Sequence, residues 1–321
     1  MSLGPERMGA APGPACYGLG GDQATLTDAF VVLGYLDPAG FLGGRRELDV
    51  EAARAALETR VAGPLGVTVD AAARRVADAA VGTVAELVGS AMARAGIDPA
   101  EAVLFAYGGN GGLFAAPVAE RLSIPAARVF GLGPVLSAFG SAVSDVVHVY
   151  ERSLGVTAGQ GHAAVVAAAG QMTAAGRRDL AGEGFDPAEA ETEVELDTRD
   201  GTEHRTVRAA DAAQALTRLD GETHVDVIRV RVTRHLATCQ PPPRASTGRA
   251  EPTPRTLLLA DGGTARVPVY DWAGLGPGRH VDGPALAAGG SMTCLIPPGR
   301  GLDVDDLGDA GLRPARSEEA Q

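Results

Sequence analysis

Between residues 69 and 95, apolar side chains recur at Val76, Ala80, Val84, Leu87, Val88, Ala91 and Met92, while Arg74, Arg75, Asp78, Glu86 and Arg94 fall mostly off that stripe. The spacing predicts one long helix packed on a sheet, closed by Gly96-Ile-Asp98-Pro99. Two shorter helices precede it. One spans 28–35, with Thr27 or Asp28 as its N-cap and Asp37-Pro38 as its stop; the other runs from Asp49, a good cap, to Val61, where Gly63-Pro64 ends it. After the long helix, residues 102–106 form a short apolar run of strand character, and helical spacing returns from Leu113 to Leu122. A strand at 127–130, a turn at Gly131-Leu-Gly-Pro134, a helix over 135–144 and a strand at 146–150 continue the alternation. Strand, helix, strand, helix in that order predicts parallel pairing with crossover helices, and so an α/β layer.

From Arg152 the texture changes. An alanine-rich helix at 160–181, a hairpin of 191–197 with 204–209 around Arg199-Asp-Gly201, a helix at 210–219 and an alternating strand at 224–234 predict a smaller α+β unit. The expected organisation is an extended entry segment (1–22), an α/β nucleotide-binding-type lobe (23–152), the α+β unit (153–238), a Pro-rich linker (239–254), a β-rich C-terminal module (255–312) and a disordered polar tail (313–321). In the C-terminal module, 257–259, 265–270 and 293–296 read as short strands.

At 321 residues and 45% hydrophobic content the chain can bury a sizeable core. Its net charge of −12 argues against nucleic acid, whose phosphates require clustered cations. All 28 basic residues are arginine, which excludes a P-loop lysine, a Schiff-base lysine and a lysine general base. No uninterrupted apolar run reaches the roughly 20 residues of a membrane span, so no membrane association is expected and the cytoplasm is the default location. Cys16, Cys239 and Cys294 are too scattered for a disulfide framework or a paired metal motif.

The candidate chemistry centres on Tyr107-Gly-Gly-Asn-Gly-Gly112. Four glycines between a strand and a helix remove side chains where backbone N–H groups can reach a ligand, and the helix presents its positive end there. Gly108, Gly109, Asn110, Gly111 and Gly112 are therefore nucleotide-binding candidates, and a tight turn that needs no ligand explains the same residues. Thr27 and Asp28 are either a substrate- or phosphate-facing pair or a helix cap, and Cys16 is either a nucleophile or a buried thiol. The six histidines show no metal-ligand spacing, so no metal site is expected from this chain alone. Ser137, Ser141 and Ser144 lack a nucleophile-elbow context, and Gly109-x-Gly111 lacks the third glycine and the acidic residue of a dinucleotide fold.

Gly4-Pro-Glu6, Gly9-Ala-Ala-Pro-Gly-Pro-Ala-Cys-Tyr-Gly18, Thr25-Leu-Thr-Asp-Ala29, Phe41-Leu-Gly-Gly44, the glycine loop and Pro134-Val-Leu-Ser-Ala-Phe-Gly140 together resemble the hydantoinase A family, which includes 5-oxoprolinases and acetone or acetophenone carboxylase subunits. Pro268-Val-Tyr-Asp271, Asp282-Gly-Pro-Ala285 and Pro297-Pro-Gly299 extend the resemblance, which is good over 4–152, fair over 255–305 and poor between. It implies an actin-like ATPase lobe of the sugar kinase and heat-shock chaperone type, with Gly108–Gly112 holding the adenosine end of ATP. It also implies a reaction in which ATP, with magnesium, phosphorylates a carbonyl or enolate oxygen of a cyclic amide or ketone, followed by hydrolysis or carboxylation with a hydantoinase B-type subunit. The family's phosphate motifs, an Asp-Gly-Gly-Thr pattern near the chain start and a related one before Gly-Pro-Glu, have no counterpart ahead of Gly4. The loop's usual ending, Pro-Leu-His, is replaced by Gly112-Leu113-Phe114, and the acidic pair after Gly-Pro-Ala by Ala287-Ala-Gly-Gly290. The resemblance therefore implies a partial subunit that needs a phosphate-binding lobe, or else a degenerate assembly or regulatory subunit with weak or no nucleotide affinity.

Overall fold

The computed structural model describes residues 3–4, 6–237, 239, 245–247, 251–259 and 262–315. The fold is mixed α/β, with three sheets among the described residues, and its contacts separate into two compact units, Met1–Ser137 with Pro241–Gln321, and Ala138–Gln240.

In the larger unit, α1 (Leu26–Val32) begins two residues earlier than expected. Its N-cap is Thr25, not Thr27 or Asp28: the Thr25 hydroxyl accepts from the Asp28 amide while the Asp28 carboxylate accepts from the Thr25 amide, a reciprocal capping box. Helix α2 (Val50–Leu57) is capped by Asp49 as expected, but it does not stop at Gly63-Pro64. It passes through a wide turn at Glu58–Ala62 into a short helical turn, Gly63–Leu65, where Pro64 occupies a first-turn position whose N–H is not needed.

Helix α3 (Val69–Ala95) matches its predicted bounds, with Thr68 capping the start and Gly96 at φ +66° ending it. By length and composition alone it could cross a membrane, yet Ala73, Val76, Ala77 and Ala80 are buried in the unit's core. The predicted apolar stripe is only partly covered: Val84 and Val88 are half-buried, and Leu87 and Ala91 are exposed. Strands β1 (Val103–Ala106) and β2 (Ala126–Val129) flank α4 (Gly111–Arg121) and pair in parallel, Val103 opposite Ala126, as the alternation requires. A short helix, Leu136–Val143, follows.

The smaller unit lays α5 (Ala158–Gly182) on an antiparallel sheet of β3 (Val146–Thr157), β4 (Glu191–Asp200), β5 (Glu203–Ala209) and β6 (His224–Arg234), in the order β3-β6-β4-β5. Alternation divides the faces. Ile228, Val230 and Val232 are buried with Val165 and Leu180, while Arg229, between them, meets Glu151 and Glu195 on the strands opposite. Helix α6 (Ala212–Leu216) closes this core.

The last stretch supplies β7 (Thr253–Leu258), β8 (Thr264–Asp271), β9 (His280–Asp282), β10 (Ala285–Gly289), β11 (Met292–Ile296), β12 (Arg300–Val304) and β13 (Ala310–Pro314). Thr253 and Pro254, within the expected linker, open β7, and Arg313 and Pro314, within the expected tail, close β13. Most of the remaining linker residues, and 316–321 of the tail, lie outside the described residues. Three of these strands extend β1 and β2 into the five-stranded order β1-β2-β13-β12-β9, with Ala127 opposite Leu312. The other four form the sheet β11-β10-β8-β7. Helix α4 lies between the two sets, its Ala115 and Ala119 buried with Ile296, Leu302 and Leu312.

Candidate functional site

The chain leaves β1 through Gly108, whose φ of +89° turns the backbone sharply. The Gly108 amide donates to the carbonyl of Gly133 at 2.8 Å, tying the loop to the turn that follows β2. Asn110 is the N-cap of α4, is exposed, and makes no side-chain capping bond. Gly109 and Gly112 have a packing reason. A Cβ at Gly109 would stand 2.8 Å from the Ser291 carbonyl oxygen, and one at Gly112 would stand 2.6 Å from that of Thr293 and 2.7 Å from the Cα of Cys294. The Thr293 amide also donates to the Gly109 carbonyl at 3.2 Å. The loop is thus seated on β11 by its own backbone, and Gly112 is buried there.

Two clefts open on either side of it. The first, of about 330 Å³, is lined by Gly109 and Asn110, by the 36–42 turn, by Thr253 and Arg255 of β7, by Tyr270 and Asp271 of β8, and by the 288–293 hairpin. It combines apolar wall (Leu36, Phe41, Met292) with hydrogen-bonding groups (Thr253, Ser291, Thr293), the mixture found in small-molecule sites, which begin at roughly 300 Å³. Arg255 pairs with Asp37 at 2.9 Å through Nη2, while its buried Nη1 has no hydrogen-bond partner among the described residues. The second cleft, of about 440 Å³, is almost wholly apolar and is lined by Val84, Val88, Leu104, Phe114 and Val118 together with Gly108, Asn110 and Gly111.

Asn110 alone of the loop's side chains reaches both clefts, and Gly112 reaches neither. Thr27 is half-buried. Asp28 is fully buried, its carboxylate accepting from the amides of Cys16 (2.8 Å) and Thr25 (2.8 Å) and from the Thr25 hydroxyl (2.7 Å). It knots the entry segment to α1 and lines neither cleft. Cys16 is fully buried, and burial first, then the Asp28 charge, pushes its thiol pKa well above the ordinary range. A thiol held protonated in this way is no nucleophile. Burial likewise pushes Cys294 up to about 12.

Sequence reasoning passed over the half-buried Arg255 and the charged partners of two histidines. His280 lies between Asp303 (2.8 Å) and Asp282 (3.0 Å), and His235 between Asp145 (2.7 Å) and Glu191 (3.2 Å). For His280 half the signal was present, since His280-x-Asp282 on one strand places both side chains on one face. Among the described residues no three His, Cys, Asp or Glu side chains converge as a metal site. A run spelled Asp-Gly-Gly-Thr does occur, at 261–264. Its Asp261 lies outside the described residues, and Gly262 belongs to the turn joining β7 to β8, at the opposite end of that hairpin from the Thr253–Val269 pair that lines the first cleft.

Residues 1–150 match the family model described as hydantoinase/oxoprolinase. The chain is 31% identical to the acetophenone carboxylase gamma subunit of Aromatoleum aromaticum, an alignment covering 97% of this chain and 48% of that protein. Two solved structures share the fold: nucleotide-free acetone carboxylase (TM-score 0.76, 22% identity, 94% of this chain and 48% of that one) and the ATP-dependent caprolactamase of Pseudomonas jessenii (TM-score 0.74, 24% identity, 98% and 50%). The chain spans about half the length of these relatives.

Proposed function

This chain belongs to the hydantoinase/oxoprolinase family, and we propose that it is the adenosine-holding part of an ATP-dependent enzyme acting on a cyclic amide or a ketone. The observation that carries the reading is the position of Gly108, Gly109, Asn110 and Gly111 at the carboxyl end of a parallel strand, between two clefts and at the start of a helix. In this reading β1, α4 and β2 are the core of an actin-like lobe. The Asn110 carboxamide and the loop backbone would hold the adenine, and Met292 and Tyr270, which line the same cleft, would supply its apolar wall.

The donor set fits the adenosine end of the nucleotide better than the magnesium-bound phosphates, because the chain has no lysine and, among the described residues, no three His, Cys, Asp or Glu side chains are placed to hold a metal ion. The bound nucleotide would supply the phosphoryl group that activates a carbonyl or enolate oxygen. The phosphate end falls, in our reading, to a second lobe, which fits the length of the relatives. A hydantoinase B-type subunit is the expected partner for the second half-reaction. The names of the relatives, an acetophenone carboxylase subunit, a caprolactamase and 5-oxoprolinases, support both substrate classes equally.

One observation favours a second reading. Gly109 and Gly112 are explained by their seat on β11 with no ligand at all, as expected of an assembly or regulatory subunit whose loop is only structural. Phosphate release from ATP, measured on the chain alone and mixed with the half of the acetophenone carboxylase gamma subunit that it does not match, separates the two. The enzyme reading predicts turnover only in the mixture. Turnover by the chain alone contradicts the division of labour, and a mixture that associates but stays inactive favours the assembly role.

A further inference from the structure

The sheet that carries the glycine loop is unfinished on one side. β1 is its terminal strand and has β2 as its one strand neighbour among the described residues. Val103 and Phe105 on its outer face are 53% and 60% exposed, and Tyr107 just beyond is 57% exposed. Nothing in Val103–Tyr107 protects the edge, since the five residues include no charge and no proline. Beside this edge runs the second cleft, walled by Val84 and Val88 of α3 and by Phe114 and Val118 of α4. The partly uncovered stripe of α3 borders the same trench, with Leu87 left 67% exposed. An apolar groove beside an unpaired strand edge is the shape left when one strand of a layer is absent: the edge offers a hydrogen-bond ladder, and the groove takes alternate side chains.

We propose that β1 is completed by an added β-strand, carried by a second lobe equivalent to the half of the longer relatives that this chain does not match. The inference rests on the reading of the chain as one part of a two-lobed enzyme, and it names the surface through which the parts join. Three observations select that occupant. The chain aligns over 97% of itself with only 48% of the acetophenone carboxylase gamma subunit, so such a relative carries a comparable length of further chain. The groove offers no charged side chain, which suits an apolar strand and neither a nucleic acid nor a polar peptide. A second copy of this chain would present its own β1, whose Ala106 is buried in its own core and whose Leu104 packs against that core and lines its own groove, so neither can fill the groove of a partner. Because β1 runs directly into Gly108, strand addition would also hold the loop at the angle in which it meets the nucleotide.

The test mixes the chain with the unmatched half of the acetophenone carboxylase gamma subunit, expressed as a separate polypeptide. Light scattering reads association and amide hydrogen exchange reads the surface. The proposal expects a one-to-one complex in which exchange over Val103–Tyr107 slows at least tenfold. It also expects Val103→Glu, at an exposed position, to weaken the complex at least tenfold while the free variant melts like the parent, and Phe105→Glu, which also gives up the edge-on contact of Phe105 with Phe130, to weaken it by as much. No complex between two folded partners overturns it. So does a complex that leaves β1 unprotected, or a chain that dimerises alone through β1. Calorimetry with ADP separates this from the nucleotide reading: a complex without ADP binding removes the nucleotide and leaves the strand joint standing, while ADP binding without a complex does the reverse.

Discussion

Gly112 lies so close to Thr293 that any side chain at position 112 would meet the Thr293 carbonyl oxygen at 2.6 Å. The first turn of α4 therefore has its distance from β11 set by the absence of one carbon atom. Gly112→Ala must push backbone against backbone, and overpacking of that kind costs about 1–3 kcal/mol. Thermal melting should show the loss, at roughly 2–4 °C per kcal/mol in a domain of this size. A variant with an unchanged melting temperature would mean that α4 is not seated as described.

Asn110 provides the complementary case, because its side chain is exposed and caps nothing. Asn110→Ala should leave the melting temperature unchanged and weaken adenosine or ADP binding roughly three- to tenfold, the range of one lost hydrogen bond of about 1 kcal/mol. A change in stability with no change in affinity would make Asn110 a structural residue and remove it from the ligand's contacts.

Asp28 accepts three short hydrogen bonds in a fully buried position, and Asp28→Ala leaves their donors without a partner. The cost should be at least about 3 kcal/mol, since bonds to a charged acceptor each contribute roughly 1.5–3 kcal/mol. Denaturant unfolding checks it. A loss of ligand binding with stability intact would instead point to the substrate-facing role that the burial of Asp28 argues against.

The pKa of His280 is raised by its hydrogen bond to Asp303 and then by that to Asp282. A base whose folded-state pKa stands above its ordinary value of about 6.5 contributes stability that is fully present below that value and is lost as pH climbs through the raised one. The melting temperature should therefore fall from about pH 6 towards pH 8, and His280→Asn should flatten the slope. His235, raised by Asp145 and then Glu191, contributes with the same sign. A melting temperature that rises over this window, or a slope that substitution of both histidines leaves untouched, would exclude the two bridges as its source.

Local features of the fold were legible in the sequence and distant ones were not. The bounds of α3 follow from a repeating stripe with Thr68 before it and Gly96 after it, all within one stretch of chain. The start of α1 was misplaced because two threonines precede the same apolar run; the Thr25-x-x-Asp28 spacing of a capping box carried the answer. The partners of β13 were hidden, since the pairing of Ala127 with Leu312 leaves no mark on either segment. For the loop, glycine is the residue required both by close packing and by ligand approach. Only the position of β11 shows that Gly109 and Gly112 meet the first requirement, while Gly109 and Asn110 also line the first cleft.

The most direct measurement is titration calorimetry of adenosine and ADP into the purified chain and into its Asn110→Ala variant. Saturable binding of both ligands to the parent is expected, with adenosine retaining most of the affinity because the phosphates find few partners, and weaker binding to the variant. No heat above dilution for either ligand, or equal binding by the variant, would contradict it.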